Sequence, residues 1–165
     1  MRRLLSCAAL CVALLPAAVM AQSVGDAAPA FDLPALSGGE QTHSLAQYRG
    51  QWLYLDFWAS WCGPCRRSFP FMNSLRDKWP QLQILAVSVD ANASAAQEFL
   101  QSNPAKFALA LDAGGKLAAQ YKLPGMPTSF LIDPQGRIVQ RHAGFNEAHA
   151  SKLEAQLQQI FPKGP

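Results

Sequence analysis

Residues 52–58, Trp-Leu-Tyr-Leu-Asp-Phe-Trp, form an almost wholly apolar and aromatic run, separated only by Ala59-Ser60-Trp61 from Cys62-Gly63-Pro64-Cys65. A run this apolar reads as a buried central strand. The two thiols then fall at a strand-to-helix junction. The helix is expected from about Cys62 to Trp79, with Phe69, Met72, Leu75, Arg76 and Trp79 spaced for one face and Pro70 kinking it from inside.

The same alternation continues. Leu82 to Val89 reads as a second buried strand with Asp90 at its end. Ala93 to Ser102 reads as a helix capped by Ser94, with Phe99 and Leu100 inward. A short strand at Phe107–Leu111 and a short helix at Lys116–Tyr121 follow. Thr128–Asp133 and Arg137–His142 make a hairpin about the turn Asp133-Pro134-Gln135-Gly136, with His142 an exposed strand residue. Asn146–Phe161 closes the chain as an amphipathic helix. Before all of these, Phe31-Asp32-Leu33 and His43-Ser44-Leu45 are short strands either side of Ser37-Gly38-Gly39. Helices alternating with buried strands predict an α/β sheet covered on both faces, antiparallel at one edge.

Arg2 and Arg3, the apolar run Leu4–Val19 and the ending Val19-Met20-Ala21 read as a signal peptide spanning residues 1–21. The expected mature unit is one domain, 22–165, exported to the periplasm; an uncleaved membrane anchor is the competing reading. That unit holds 12 Lys+Arg against 11 Asp+Glu, with no run of like charge. Nucleic-acid binding, which needs clustered cations, is thereby set aside. Cys7 and Cys11 leave with the signal, so Cys62 and Cys65 are the mature pair. A disulfide closing so short a loop constrains the unfolded chain little, which points to reactivity rather than stapling.

At a helix start, free backbone N–H groups and the positive end of the helix dipole favour a thiolate at Cys62, the expected nucleophile. Cys65, one turn on and less exposed, is placed to resolve a mixed disulfide. Arg66 and Arg67 add positive potential, or simply face solvent. A zinc site lacks ligands: there is no second cysteine pair, and His43, His142 and His149 are scattered. Arg66 occupies the position where covalent haem attachment needs histidine. No metal and no cofactor are expected.

Asp56-Phe57-Trp58-Ala59-Ser60-Trp61-Cys62-Gly63-Pro64-Cys65 resembles the thioredoxin active-site segment, and Gly125-Met126-Pro127-Thr128 resembles its cis-proline loop. The wider pattern is similar to the exported TlpA/ResA/CcmG branch. It runs from Ala28-Pro29-Ala30-Phe31-Asp32-Leu33 through Val87-Ser88-Val89-Asp90 to Phe130–Ile138. The resemblance implies a thioredoxin-like fold: a central mixed sheet flanked by helices, an N-terminal hairpin, and a helix–strand insertion at about Asn92–Leu111. It implies a cis bond before Pro127 and a client segment lying along the Met126 backbone. Asp56, the one acid in its strand, would take the Cys65 proton during resolution. Trp61, Gly63 and Pro64 would contact the client, whereas Trp58 reads as core.

The implied activity is dithiol–disulfide exchange reducing exported protein disulfides, apocytochrome c or copper-site proteins among them, with re-reduction by a membrane thiol donor. Two alternatives stand beside it: a dithiol oxidase, and a Cu(I)-handling protein using Cys62, Cys65 and Met126 as soft ligands. Ser68 stands where many ResA-like proteins carry Glu, which weakens the apocytochrome c reading; Asp56 stands where that branch often has Asn.

Overall fold

The computed structural model describes residues 22–162. The expected signal peptide, with Cys7 and Cys11, lies outside them. Among the described residues no helix is long and apolar enough to cross a membrane.

Two short strands, β1 (Asp32–Pro34) and β2 (Thr42–Ser44), pair antiparallel as the N-terminal hairpin. A 3-10 turn over Leu45–Tyr48, absent from the sequence reading, leads to β3 (Leu53–Trp58). Then come α1 (Cys65–Lys78), β4 (Gln83–Ser88), α2 (Ala93–Ser102), β5 (Ala108–Leu111), α3 (Lys116–Gln120), β6 (Thr128–Ile132), β7 (Ile138–Ala143) and α4 (Glu147–Ile160). The main sheet has the order β5-β4-β3-β6-β7. β3, β4 and β5 run parallel, β6 pairs antiparallel with β3, and β7 pairs antiparallel with β6. The fold is mixed α/β and thioredoxin-like. Residues 92–111 form the insertion, which places β5 beside β4.

β3 lies at the centre, so all six of its residues are buried, as expected of an apolar run with no polar side. Its two faces serve different layers. Leu53, Leu55 and Phe57 pack with Leu85, Val87, Leu117, Tyr121 and Phe130. Tyr54 and Trp58 pack with α1 (Phe69, Met72, Leu75), α2 (Ala96, Phe99) and α4 (Leu153, Leu157). The redox motif therefore connects a central strand to a helix anchored on one face of that strand.

Two local expectations are corrected. The N-cap of α2 is Asn92, whose side chain accepts from Ala95 N; Ser94, already inside the helix, donates its hydroxyl to Asn92 Oδ1 instead. A carboxamide oxygen ahead of the first turn reaches a free amide that a side chain within the turn does not. His142 is buried, not exposed, at 8%, because α4 covers its face of β7.

The chain enters the sheet far from the motif. Gly25 N donates to Ile138 O, Ala28 N to Gly136 O, and Ala27 bridges Arg137. Gly136, at φ +76°, has Arg49 directly above its α-carbon, where a Cβ would collide with the guanidinium. Arg49 also donates to Gln135 O. The β6–β7 turn is thus closed by the segment that precedes β3.

Candidate active site

Cys62 and Cys65 are joined as a disulfide, S–S 2.02 Å, with α-carbons 5.4 Å apart. The regular helix begins at Cys65 rather than at Cys62. The residues before it form overlapping turns: Cys62 N donates to Ala59 O, Cys65 N to Cys62 O, and Arg66 N to Gly63 O. Pro64 precedes the first helical residue with helical torsions and no N–H to satisfy. Cys62 therefore sits just ahead of the helix, its Sγ accepting from Cys65 N at 3.2 Å. An amide directed at sulfur, at the positive end of a helix, favours negative charge there.

Cys65 is completely buried and Cys62 nearly so, whereas Gly63 and Pro64 are exposed. Trp61 is 70% exposed, a large apolar side chain standing beside the redox pair. Trp58 is core, its ring 4.9 Å from that of Phe69 and 4.8 Å from that of Phe99. The strand leading into the motif and the helix leaving it are thereby packed on each other.

Asp90, which the sequence places only at the end of a strand, holds the loop that delivers Cys62. Its carboxyl accepts from Ser60 N at 2.9 Å, Ser60 Oγ at 2.7 Å and Ser88 Oγ at 2.8 Å. It is buried at the end of β4, where Val89 N donates to Trp58 O. A single Asp after a strand is a common cap, and its distant partner in Ser60 is invisible until β3 and β4 are paired.

The Met126–Pro127 bond is cis. Pro127 is buried and leads into β6, whose Thr128 pairs with Phe57. It lies at the end of the sheet from which β3 runs into the motif. Met126 is partly buried and flanks an apolar cleft bounded by Val89, Ala118 and Leu123. Thr128 Oγ1 donates to Gly125 O, and Gly144 N to Pro127 O, both at 2.7 Å, so the loop is held on two sides.

Asp56 is 2% exposed and its Oδ2 has no hydrogen-bond partner. Burial pushes its carboxyl well above the usual carboxylate range. Strand alternation places it on the face of β3 that carries Tyr54 and Trp58, under α1. Arg66 and Arg67 are exposed. Ser68 is buried, its hydroxyl donating to Cys65 O at 3.0 Å, a neutral and internally satisfied side chain. Among the described residues no group of three or more His, Cys, Asp or Glu side chains is placed to hold a metal ion.

The Redoxin family model matches residues 23–157. The chain belongs to the Redoxin family. Within it, thiol-disulfide oxidoreductase ResA of Bacillus cereus (strain ZK / E33L) is 35% identical over 141 residues, covering 84% of this chain and 79% of the relative. ResA of Geobacillus thermodenitrificans (strain NG80-2) is 36% identical over 120 residues, 72% of this chain and 68% of the relative. The crystal structure of a DsbE-type thiol:disulfide interchange protein from Chlorobium tepidum superposes with TM-score 0.79 at 43% identity, covering 84% of this chain and 98% of that one. StoA from Bacillus subtilis superposes at 0.64 with 28% identity, 78% and 96% covered. This Redoxin-family chain is a TlpA/ResA/CcmG-type thiol–disulfide oxidoreductase, and disulfide-containing proteins are its substrate class.

Proposed function

We propose that the protein works in the periplasm as a reductant of exported protein disulfides. The observation that carries this reading is the Cys62–Cys65 pair itself: one sulfur supported by the Cys65 amide, the other fully buried, with Trp61 exposed beside them. In the reduced protein the Cys62 thiolate attacks a client disulfide, forming a mixed disulfide and releasing one client thiolate. Asp56 takes the proton of Cys65; the Cys65 sulfur attacks Cys62 Sγ, and the second client thiolate leaves. The client has gained two electrons and the protein holds the Cys62–Cys65 disulfide, which a membrane thiol donor reduces. Met126 and Pro127 present a backbone edge for the extended client segment, and Trp61, Gly63 and Pro64 form the contact surface. Apocytochrome c and copper-site proteins fit the client class, although Ser68 leaves the site without the acid that the apocytochrome c reading favours.

Two measurements test the reading. Cys65→Ala, expressed in its native compartment, should accumulate clients covalently held on Cys62; trapping only through Cys65 in Cys62→Ala would reverse the two roles. The reduction potential decides direction: a value near about −270 mV supports a reductant, and one near about −120 mV refutes it.

A further inference from the structure

Behind the redox pair, one polar row crosses the sheet face that also carries Tyr54 and the buried Gln140. Asp56 on β3 pairs with Ser129 on β6, and Ser129 pairs with His142 on β7. Directly opposed residues point to the same face, so the three side chains stand side by side across three strands. α4 lays His149 over the end of the row, its ring stacked on that of His142 at 4.7 Å and 22°. Tyr54, two residues before Asp56, donates its hydroxyl to Ser129 Oγ at 2.8 Å.

Three polar atoms here are buried and unpaired: Asp56 Oδ2, His142 Nε2 and His149 Nδ1. Their residues, with Tyr54 and Ser129, line a cavity of about 10 Å³ that Phe71 and Pro127 help to wall. That is the space of one water, and polar lining is what retains a water in a protein interior. Asp56 itself has almost no exposed surface. A proton taken up by its carboxyl therefore needs an internal way out, and His149, only partly buried, marks where that way reaches the surface.

We propose that Asp56, Ser129, His142 and His149, completed by one bound water, form the route by which the Asp56 carboxyl exchanges its proton with solvent. His142 and His149 are positioning residues for the resolving step. The proposal rests on the reading of Asp56 as the proton partner of Cys65. Ahead of resolution the carboxyl, which burial keeps protonated, must give up its proton before it can take that of Cys65. It donates to the water, which donates one of its own protons to an unprotonated ring nitrogen of the histidine pair. His149 returns that proton to bulk solvent. Charge and atoms balance, and no electrons move in the relay.

The groups facing His142 fit this use. Tyr54 and Asp56 approach from β3, His149 and Lys152 from α4, while α1 contributes the uncharged Phe71. Burial, and then the charges of His149 and Lys152, push His142 down to about 4. It is neutral at physiological pH, able to accept a proton and unable to keep it.

The test is a two-phase single-turnover experiment on the reduced protein with a chromophoric aryl disulfide. The first thiolate released reports attack by Cys62, and the second reports resolution by Cys65. His142→Gln and His149→Ala should leave the first phase at its native rate, slow the second about tenfold, and move its pH profile. Asp56→Asn is run alongside. If it leaves the second phase unchanged, the reading of Asp56 fails, and the relay with it. If it slows that phase while both histidine variants follow the native profile from about pH 5 to about pH 9, the relay alone is overturned. Equal slowing of both phases with an unmoved profile also overturns it, by showing a purely structural role. Should His142→Gln not fold, His149→Ala, at the surface end of the row, decides the matter.

Discussion

Removing the Asp90 carboxyl tests whether the loop ahead of Cys62 is held by a charged acceptor at the end of β4. Asp90→Ala leaves three donors without their acceptor: Ser60 N, Ser60 Oγ and Ser88 Oγ. Ser88 is completely buried, so its hydroxyl cannot turn to water, at a cost of about 1–3 kcal/mol. Ser60 is partly exposed; water replaces part of what its two bonds supply, leaving about 0.5–1 kcal/mol for each. The sum is about 2–5 kcal/mol, which lowers the urea midpoint of the oxidised protein by about 1–2.5 M at a slope of about 2 kcal/mol/M. Asp90→Asn, which keeps one acceptor oxygen, should fall between. Disulfide-exchange turnover, measured where every variant is folded, should drop about tenfold for Asp90→Ala, because small displacements of a reacting group are expensive. An unchanged midpoint at unchanged slope would refute the energetic argument. A lowered midpoint with native turnover would refute the claim that Asp90 positions Cys62.

Phe69 is fully buried against Trp58, Phe99 and Phe107, so Phe69→Ala should cost about 3–5 kcal/mol in urea unfolding. Asn146 caps α4 through His149 N at 2.9 Å; Asn146→Ala should cost about 1 kcal/mol, read as a lowered Tm. Asp56 titrates higher in the folded chain than its ordinary value, so its contribution to stability is full at acid pH and is lost as pH rises through the folded value. Asp56→Asn should therefore gain stability over the native protein with increasing pH, about 1.4 kcal/mol for each pH unit by which the native value is raised, in urea midpoints taken across the range. For His142, held at about 4 against an ordinary 6.5, the sign is opposite: stability is full above about 6.5 and lost as pH falls toward about 4. His142→Gln should remove up to about 3 kcal/mol of that acid sensitivity.

The fold was legible where the chain states a single periodicity. The apolar run of β3, the helix after the motif, the Asp133–Gly136 turn and the Asn146-led last helix each say one thing at every position. The position of Cys62 and Cys65 at a strand-to-helix junction follows from the same pattern, whereas the expectations for Trp61 and Trp58 come with the resemblance to the thioredoxin active-site segment. What escaped depends on pairing between distant segments. Asp90 meets Ser60 only once β4 lies beside β3. His142 is buried only because α4 folds back over β7, and a strand that ends in Arg-His-Ala gives no sign of that. The start of α1 moved by a turn because successive i+3 bonds through Pro64 lead into it, and spacing alone does not separate such turns from helix.

The pairing of Gly25, Ala27 and Ala28 with residues 136–138 fixes how the domain would be presented if it were tethered. The polypeptide joins the sheet beside the β6–β7 turn, at the pole where β3 begins, whereas Cys62 lies past the pole where β3 ends. An attachment on the N-terminal side would therefore sit beneath the molecule, with Trp61 and the sulfur pair facing away from the anchoring surface. The catalytic face would look out into the surrounding compartment, free to meet soluble clients without competing with its own mooring for space.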